Sequence, residues 1–217
     1  MAPESIASRR VYRSELRARQ AEETRARVIA AAAELFSADG YARTTLGKIA
    51  AAAGVSTETV QGQGSKAALM IAAVEYLSVG VAGEDNILNL DLGRRLQTAT
   101  GVADFIDFGV DAIVAIHTGS AQLAGALIGA AGTDAELERY LGDLRASIRL
   151  QCSRVLEIYR DNGWVRSDVP FDELVETVAV LISVDNYLLI TKHGGWSTDR
   201  YAAWLRRMLT ETVFELA

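Results

Sequence analysis

The sequence predicts an all-α protein: an N-terminal three-helix unit holding a helix-turn-helix, then a larger helical body. Three observations predict it. Only two prolines occur, Pro3 and Pro170, so nothing in the long middle forces a helix to break. Alanine is abundant, and the dense Val, Ile and Thr runs that strands need are absent. The stretch Thr44 to Lys66, TTLGKIAAAAGVSTETVQGQGSK, reads as two short helices around a tight turn.

Composition bounds the rest. At 217 residues, half hydrophobic and 23% charged, the chain suits one large or two small globular domains. A single cysteine, Cys152, excludes an internal disulfide and suits a reducing cytoplasm. No apolar run is expected to reach membrane-spanning length, since the longest candidate, Val178 to Ile190, is interrupted by Asp185 and Asn186. The N-terminal arginines have no apolar segment after them, unlike a secretory signal, so a cytoplasmic location is expected. Charge is uneven. Residues 1–66 hold ten Lys/Arg and seven Asp/Glu, net +3, and the other 151 hold twelve and twenty-one, net −9. A basic front on an acidic body fits a nucleic-acid binder with a separate second domain.

Residues 1–20 form an arm with Arg9, Arg10, Arg13, Arg17 and Arg19. It extends the first helix or is a solvated tail; as a helix it places Arg9, Arg13 and Arg17 on one face, suited to phosphates or a minor groove. A domain at 21–80 follows. Its first helix is Ala21–Ala38, with Val28, Ala32, Leu35 and Phe36 at helical spacing and Gly40 as the stop. The helix-turn-helix occupies 44–63. Thr44 or Thr45 caps its first helix, Ala53-Gly54-Val55 is the turn, Ser56 caps the second helix, and Gly62 and Gly64 end it. That second helix is short and polar except for Val60, so it suits a surface that faces a partner. Thr57, Glu58, Thr59, Gln61 and Gln63 can hydrogen-bond to base edges or phosphates. The expected core is Leu35, Phe36, Ile49, Val55, Val60 and Leu69. Ser65 caps a fourth helix, Lys66 to about Val81. Lys66 sits badly for the helix dipole, which an anion such as a DNA phosphate would explain.

The body, 81–217, opens with an irregular stretch, Gly83 to Gly101, holding at most a short helix. Two helices are expected next, Val102–His117 and Ala121–Ala131, separated at Gly119, with Gly125 and Gly129 permitting close backbone approach. Asp134 caps a long helix to Asp161, striped by Leu137, Leu141, Leu144, Ile148, Cys152, Val155 and Tyr159 and ended by Asn162-Gly163. Pro170 opens a nearly all-apolar helix to Lys192, and Ser197 or Thr198 caps the last helix, to Leu216. These two helices, 171–192 and 198–216, carry more apolar surface than one core hides, which suits a homodimer interface.

Taken together these residues resemble the tetracycline-repressor (TetR) family of bacterial regulators. The resemblance runs from Thr24-Arg25 through Ala33-x-Leu35-Phe36, Gly40-Tyr41, Thr44-Thr45, Ile49-Ala50, Ala53-Gly54-Val55-Ser56, Thr59-Val60 and Ser65-Lys66 to Leu69, about a quarter of the chain. The family usually continues with a tyrosine, an aromatic or histidine, and a phenylalanine before the Ser-Lys. Here the run is Gln61-Gly62-Gln63-Gly64, one residue shorter, with Gln61 at the tyrosine position and no phenylalanine anchor. The resemblance implies a homodimeric, ligand-responsive DNA-binding regulator, a repressor of a palindromic operator released by a small-molecule effector.

Candidate DNA-binding residues are Arg43, Thr44, Thr45, Lys48, Ser56, Thr57, Glu58, Thr59, Gln61, Gln63 and Lys66. Thr45, Thr57, Thr59 and Lys66 resemble the family's DNA contacts. Candidate effector-pocket residues are Asp111, His117, Tyr159, Asp185 and Asn186, polar groups on or beside apolar helices. Asp185-Asn186 lines a cavity or sits at a dimer seam; His117 orients a ligand or serves the core. No metal, cofactor or catalytic residues are assigned. His117, His193 and Cys152 do not make a ligand set, and Gly62-Gln-Gly-Ser-Lys lacks the order of a phosphate loop. The alternative reading is a helical small-molecule-binding or interaction protein whose helix-turn-helix has lost specific DNA binding.

Overall fold

The computed structural model describes residues 4–77 and 91–215. The expected helix end at Val81, the start of the irregular stretch at Gly83, and Leu216 lie outside the described residues. The chain divides into two compact units at Tyr76/Leu77.

In the first unit, α1 runs from Glu4 to Asp39, so the arm continues the first helix, as the absence of Gly and Pro over 4–38 permits. Gly40 ends it at φ +78°, where a side chain would be strained. α2 (Leu46–Ala53) is capped by Thr45, whose hydroxyl accepts from the Lys48 amide at 3.2 Å. Gly54 closes it in the left-handed region at φ +67°. α3 (Thr57–Gln61) is capped by Ser56, which accepts from the Thr59 amide at 3.1 Å. α4 (Lys66–Leu77) is capped by Ser65, which accepts from the Ala68 amide at 2.9 Å. The core is Val28, Ala32, Phe36, Ile49, Val60, Leu69, Met70 and Ala73, all buried. Leu35 and Val55, expected there, are only half-buried, while α4 buries Ala67, Leu69, Met70, Ala73 and Val74.

The second unit has α5 (Asp91–Leu96), α6 (Val102–Ala131), α7 (Ala135–Asp161), α8 (Phe171–Leu181), α9 (Val184–Leu188) running into a π-helical turn (Leu189–His193), and α10 (Thr198–Thr212). α6 packs against α7, α9 and α10. Its 30 residues are unbroken, which corrects the expected division at Gly119. A lone glycine costs a helix only about 1 kcal/mol, and burial along α6 outweighs that. The correction has a consequence: joined across Gly119, α6 is long and apolar enough to span a membrane by length and composition, contrary to the sequence expectation. Gly125 serves close approach, since a Cβ there would lie 3.4 Å from Leu188; Gly129 does not, since nothing lies within 4 Å. Asp134 caps α7 as expected, accepting from the Glu136 and Leu137 amides.

The predicted helix 171–192 is broken. It bends by 42° between α8 and the α9 segment. Ser183 caps α9 by accepting from the Asn186 amide at 3.1 Å, which takes that amide away from the preceding carbonyls. The carbonyls at the break find side-chain partners. Leu181 accepts from the Asn186 carboxamide at 3.2 Å, and Ile182 from the His117 ring at 2.9 Å. A single serine competing with the backbone was the signal, and the apolar pattern around it hid the break.

Tyr159 packs in the core of this unit, stacked on Trp164 at 5.1 Å, and its hydroxyl donates to the Leu96 carbonyl at 2.8 Å. Tyr159→Phe removes this bond and leaves the Leu96 carbonyl with the longer bond from the Ala99 amide, at 3.2 Å. Its unfolding free energy in urea is expected to fall by about 1–2 kcal/mol, with far-UV circular dichroism unchanged.

Candidate nucleic-acid interface

α3 is five residues long and buries only Val60. Ser56, Thr57, Glu58 and Gln61 are exposed, and Thr59 and Gln63 are half-buried. Ser56 and Thr59 are also joined side chain to side chain at 3.0 Å, so both hydroxyls serve the cap. Thr57, Glu58 and Gln61 remain as the outward polar groups of the helix. The turn after α3 depends on Gly64, at φ +135°, where a Cβ would stand 3.0 Å from that of Ala68.

The basic residues around α3 are supported by their neighbours. Lys48 pairs with Asp39 at 3.0 Å, half-exposed, so its charge is partly balanced. Arg43 is exposed and donates through Nε to the Asp39 carbonyl at 2.9 Å. Lys66 lies over the ring of Tyr41, 4.1 Å from its centre, which gives the cation a favourable seat despite the helix dipole. Gln63 accepts from Arg25 at 3.2 Å. Tyr41 and Arg25 belong to the resemblance, but neither was expected as a support for these residues. No local spacing reveals them, because each acts across more than twenty residues of chain.

Thr44 stands apart from the other candidates. It is fully buried, and its hydroxyl donates toward the carbonyls of Gly40 at 2.9 Å and Leu35 at 3.2 Å. It ties the end of α1 to the start of the helix-turn-helix and does not face outward. Thr45 is exposed but occupied as the α2 cap.

The five effector-pocket candidates do not converge. Asp111 is exposed and paired with Arg206, which also holds Asp107 at 2.6 Å. Asp185 is half-exposed and paired with Arg145 at 3.2 Å. Tyr159 is a core residue. Only His117 and Asn186 meet, at the carbonyls of the α8–α9 break. His117 is buried, tilted against Tyr187 at 5.1 Å between ring centres. Its Nε2 faces a carbonyl and must donate, so the proton is there; Nδ1 is buried with no hydrogen-bond partner among the described residues. An open groove of about 850 Å³ lies elsewhere, between α7 and α8, lined by Arg149, Leu150, Ser153, Phe171, Glu173 and Glu176 among others. Sequence reasoning did not find it, because it joins two helices that share no motif. Among the described residues no three His, Cys, Asp or Glu side chains come together as a metal site. Burial pushes the Cys152 thiol up to about 12, so it is a packing group and a poor nucleophile.

Residues 28–73 match the sequence model of the family described as bacterial regulatory proteins, tetR family. The matched segment, from the second half of α1 into α4, is similar to that family's N-terminal domain. None of the curated proteins matches its sequence. Solved structures share its fold. One is the SmeT–triclosan complex, with 18% identity over 88% of this chain and 92% of that one, at a TM-score of 0.69. Another is NalD, the secondary repressor of the MexAB-OprM multidrug efflux pump in Pseudomonas aeruginosa, with 19% identity over 91% and 98% and a TM-score of 0.68. A third is a Saccharomonospora viridis protein in complex with choline, with 17% identity over 90% and 100% and a TM-score of 0.70. At these identities the likeness is one of fold. Within the matched segment, the short Gln61–Gly64 run is accommodated by Gly64, and α3 buries Val60.

Burial holds the His117 ring below its ordinary value of 6.5, against the opposing pull of its bond to Ile182. The unfolded chain therefore takes up a proton more readily than the folded one. Stability from this residue is full above the unfolded value and is lost as pH falls through the lower folded value. Unfolding free energy is expected to decline between about pH 7 and pH 5, and to decline less in His117→Gln, as read by urea titrations at each pH.

Proposed function

We propose that this chain is a tetR-family regulator, a repressor that binds a palindromic operator as a homodimer and is released by a small molecule. The observation that carries the DNA half is α3, whose one apolar side chain is buried and whose Thr57, Glu58 and Gln61 face outward. The support around it is basic, with Arg43, Lys48 and Lys66 on the neighbouring segments. Thr57 and Gln61 donate and accept at base edges; Lys66 and Arg43 neutralise phosphates. Two copies place two reading helices in successive major grooves, about 34 Å apart.

The dimer reading rests on the helices at 171–193 and 198–212. Val180 and Leu189 are exposed at 55% and 63%, large apolar groups on a broken helix that its own core does not cover. The effector reading draws on the fold. SmeT has been solved with triclosan and the S. viridis protein with choline, so a body of this shape admits small molecules. An effector shifts the regulator only by its differential affinity for the DNA-competent and released states. Such a protein works where the chromosome is, in the cytoplasm.

A second reading has one observation in its favour. The glycine-flanked end of α3 lacks an aromatic anchor, which suits a helical binding protein that no longer reads a specific sequence. Duplex selection with the full chain separates the two. A palindrome is expected to emerge, and Thr57→Ala or Gln61→Ala to weaken its binding by about 1–2 kcal/mol with the melting temperature unchanged. Lys66→Gln is expected to weaken all duplexes alike and lower the salt slope by about one. Weak, sequence-blind binding by the unaltered chain would favour the second reading.

The interface has its own test. The double variant Val180→Asp/Leu189→Asp is expected to sediment as a monomer and to lose most operator affinity, because one half-site supplies too few contacts. An unchanged sedimentation coefficient would remove these helices from the interface.

A further inference from the structure

Arg25 lies on α1, three residues ahead of the segment that matches the family. Its guanidinium Nη1 donates to Oε1 of Gln63 at 3.2 Å, across 38 residues of chain. Arginine carries only donors, so the atom of Gln63 that faces it must be the oxygen. The carboxamide orientation is therefore set by the chemistry of its partner. The backbone of Gln63 is also held, its amide donating to the Val60 carbonyl at 2.9 Å. Gln63 itself is half-buried, two residues beyond the end of α3.

We propose that Arg25 decides what Gln63 offers to DNA: it engages the carboxamide oxygen and leaves the Nε2 hydrogens as the group presented. This inference rests on the DNA-binding reading above. Glutamine ordinarily reads adenine with both ends, its oxygen accepting from N6 and its nitrogen donating to N7. A cation bonded to the oxygen weakens it as an acceptor for a second donor. The same bond polarises the amide and strengthens the N–H groups. Gln63 then selects hydrogen-bond acceptors, which DNA supplies as phosphate oxygens, as single acceptors on adenine N7 and thymine O4, and as the adjacent pair O6 and N7 on guanine, the one base edge that can engage both Nε2 hydrogens. Arg25 is a positioning residue. It is exposed and is not among the buried core residues, so Arg25→Met is expected to leave the fold intact.

The test compares the full-length chain with Arg25→Met, Gln63→Ala, Gln63→Glu and the Arg25→Met/Gln63→Ala double variant. Each is put through duplex selection and titrated onto the palindrome selected by the unaltered chain. The effects of Arg25→Met and Gln63→Ala are expected to be coupled by about threefold or more, so that Arg25→Met does little once Gln63 is gone. Gln63→Glu keeps the partner for Arg25 but has no donor, and is expected to bind no better than Gln63→Ala. If the acceptor is a base, the unaltered chain prefers guanine at one position per half-site, and Arg25→Met moves that preference toward adenine by roughly fivefold. If it is a phosphate, base preferences stay fixed and affinity falls alike for all sequences. Either result supports the assignment. Independent effects of the two substitutions, an adenine preference already present in the unaltered chain and erased by Gln63→Ala, or full affinity in Gln63→Glu would overturn it. If the unaltered chain selects no duplex, the DNA-binding reading fails and takes this inference with it.

Discussion

Helix α3 has five residues, too few to be stable alone, and everything proposed for the N-terminal unit depends on how it is held. Ser56 satisfies an amide at its start, Val60 is its only buried side chain, and Gly64 lets the chain turn directly into α4. Thr45 and Ser65 cap the helices on either side in the same way. Buried Thr44 ties the loop before them to two carbonyls near the end of α1. A short polar helix survives here because its backbone is satisfied by side chains and its one apolar group is buried. Its outward face is thereby released from any structural duty, which is what a reading surface needs.

The second unit meets the same constraint at the α8–α9 break. Interrupting a helix orphans carbonyls, and buried carbonyls need donors. Asn186 and the His117 ring supply them from two different helices. This gives Asn186 and the Nε2 edge of His117 a structural role inside an apolar body. It also separates the roles of neighbours: Asp185 turns outward to Arg145 while Asn186 turns inward to the break.

Much of the fold was legible because its signals are local. Thr45, Ser56, Ser65, Asp134 and Ser197 each cap the helix that follows, and the cap needs only residues two or three positions away. Two features were misread for one reason. Gly119 looked like a stop and is not, while Ser183 sat in an apolar run and is one. Whether a weak breaker acts depends on the burial available to oppose it, and that is a property of the packed body.

The sequence by itself determined the helical class, the place of the helix-turn-helix and the polar character of its second helix, since periodicity, capping and composition act over a few residues. Only the tertiary structure decided what each candidate side chain is free to do. It buried Thr44, seated Lys66 on Tyr41, turned Gln63 toward Arg25 and scattered the effector candidates among ion pairs and core bonds. Those outcomes turn on which residues from distant parts of the chain arrive within hydrogen-bonding or ring-contact distance, and no spacing along one helix encodes that.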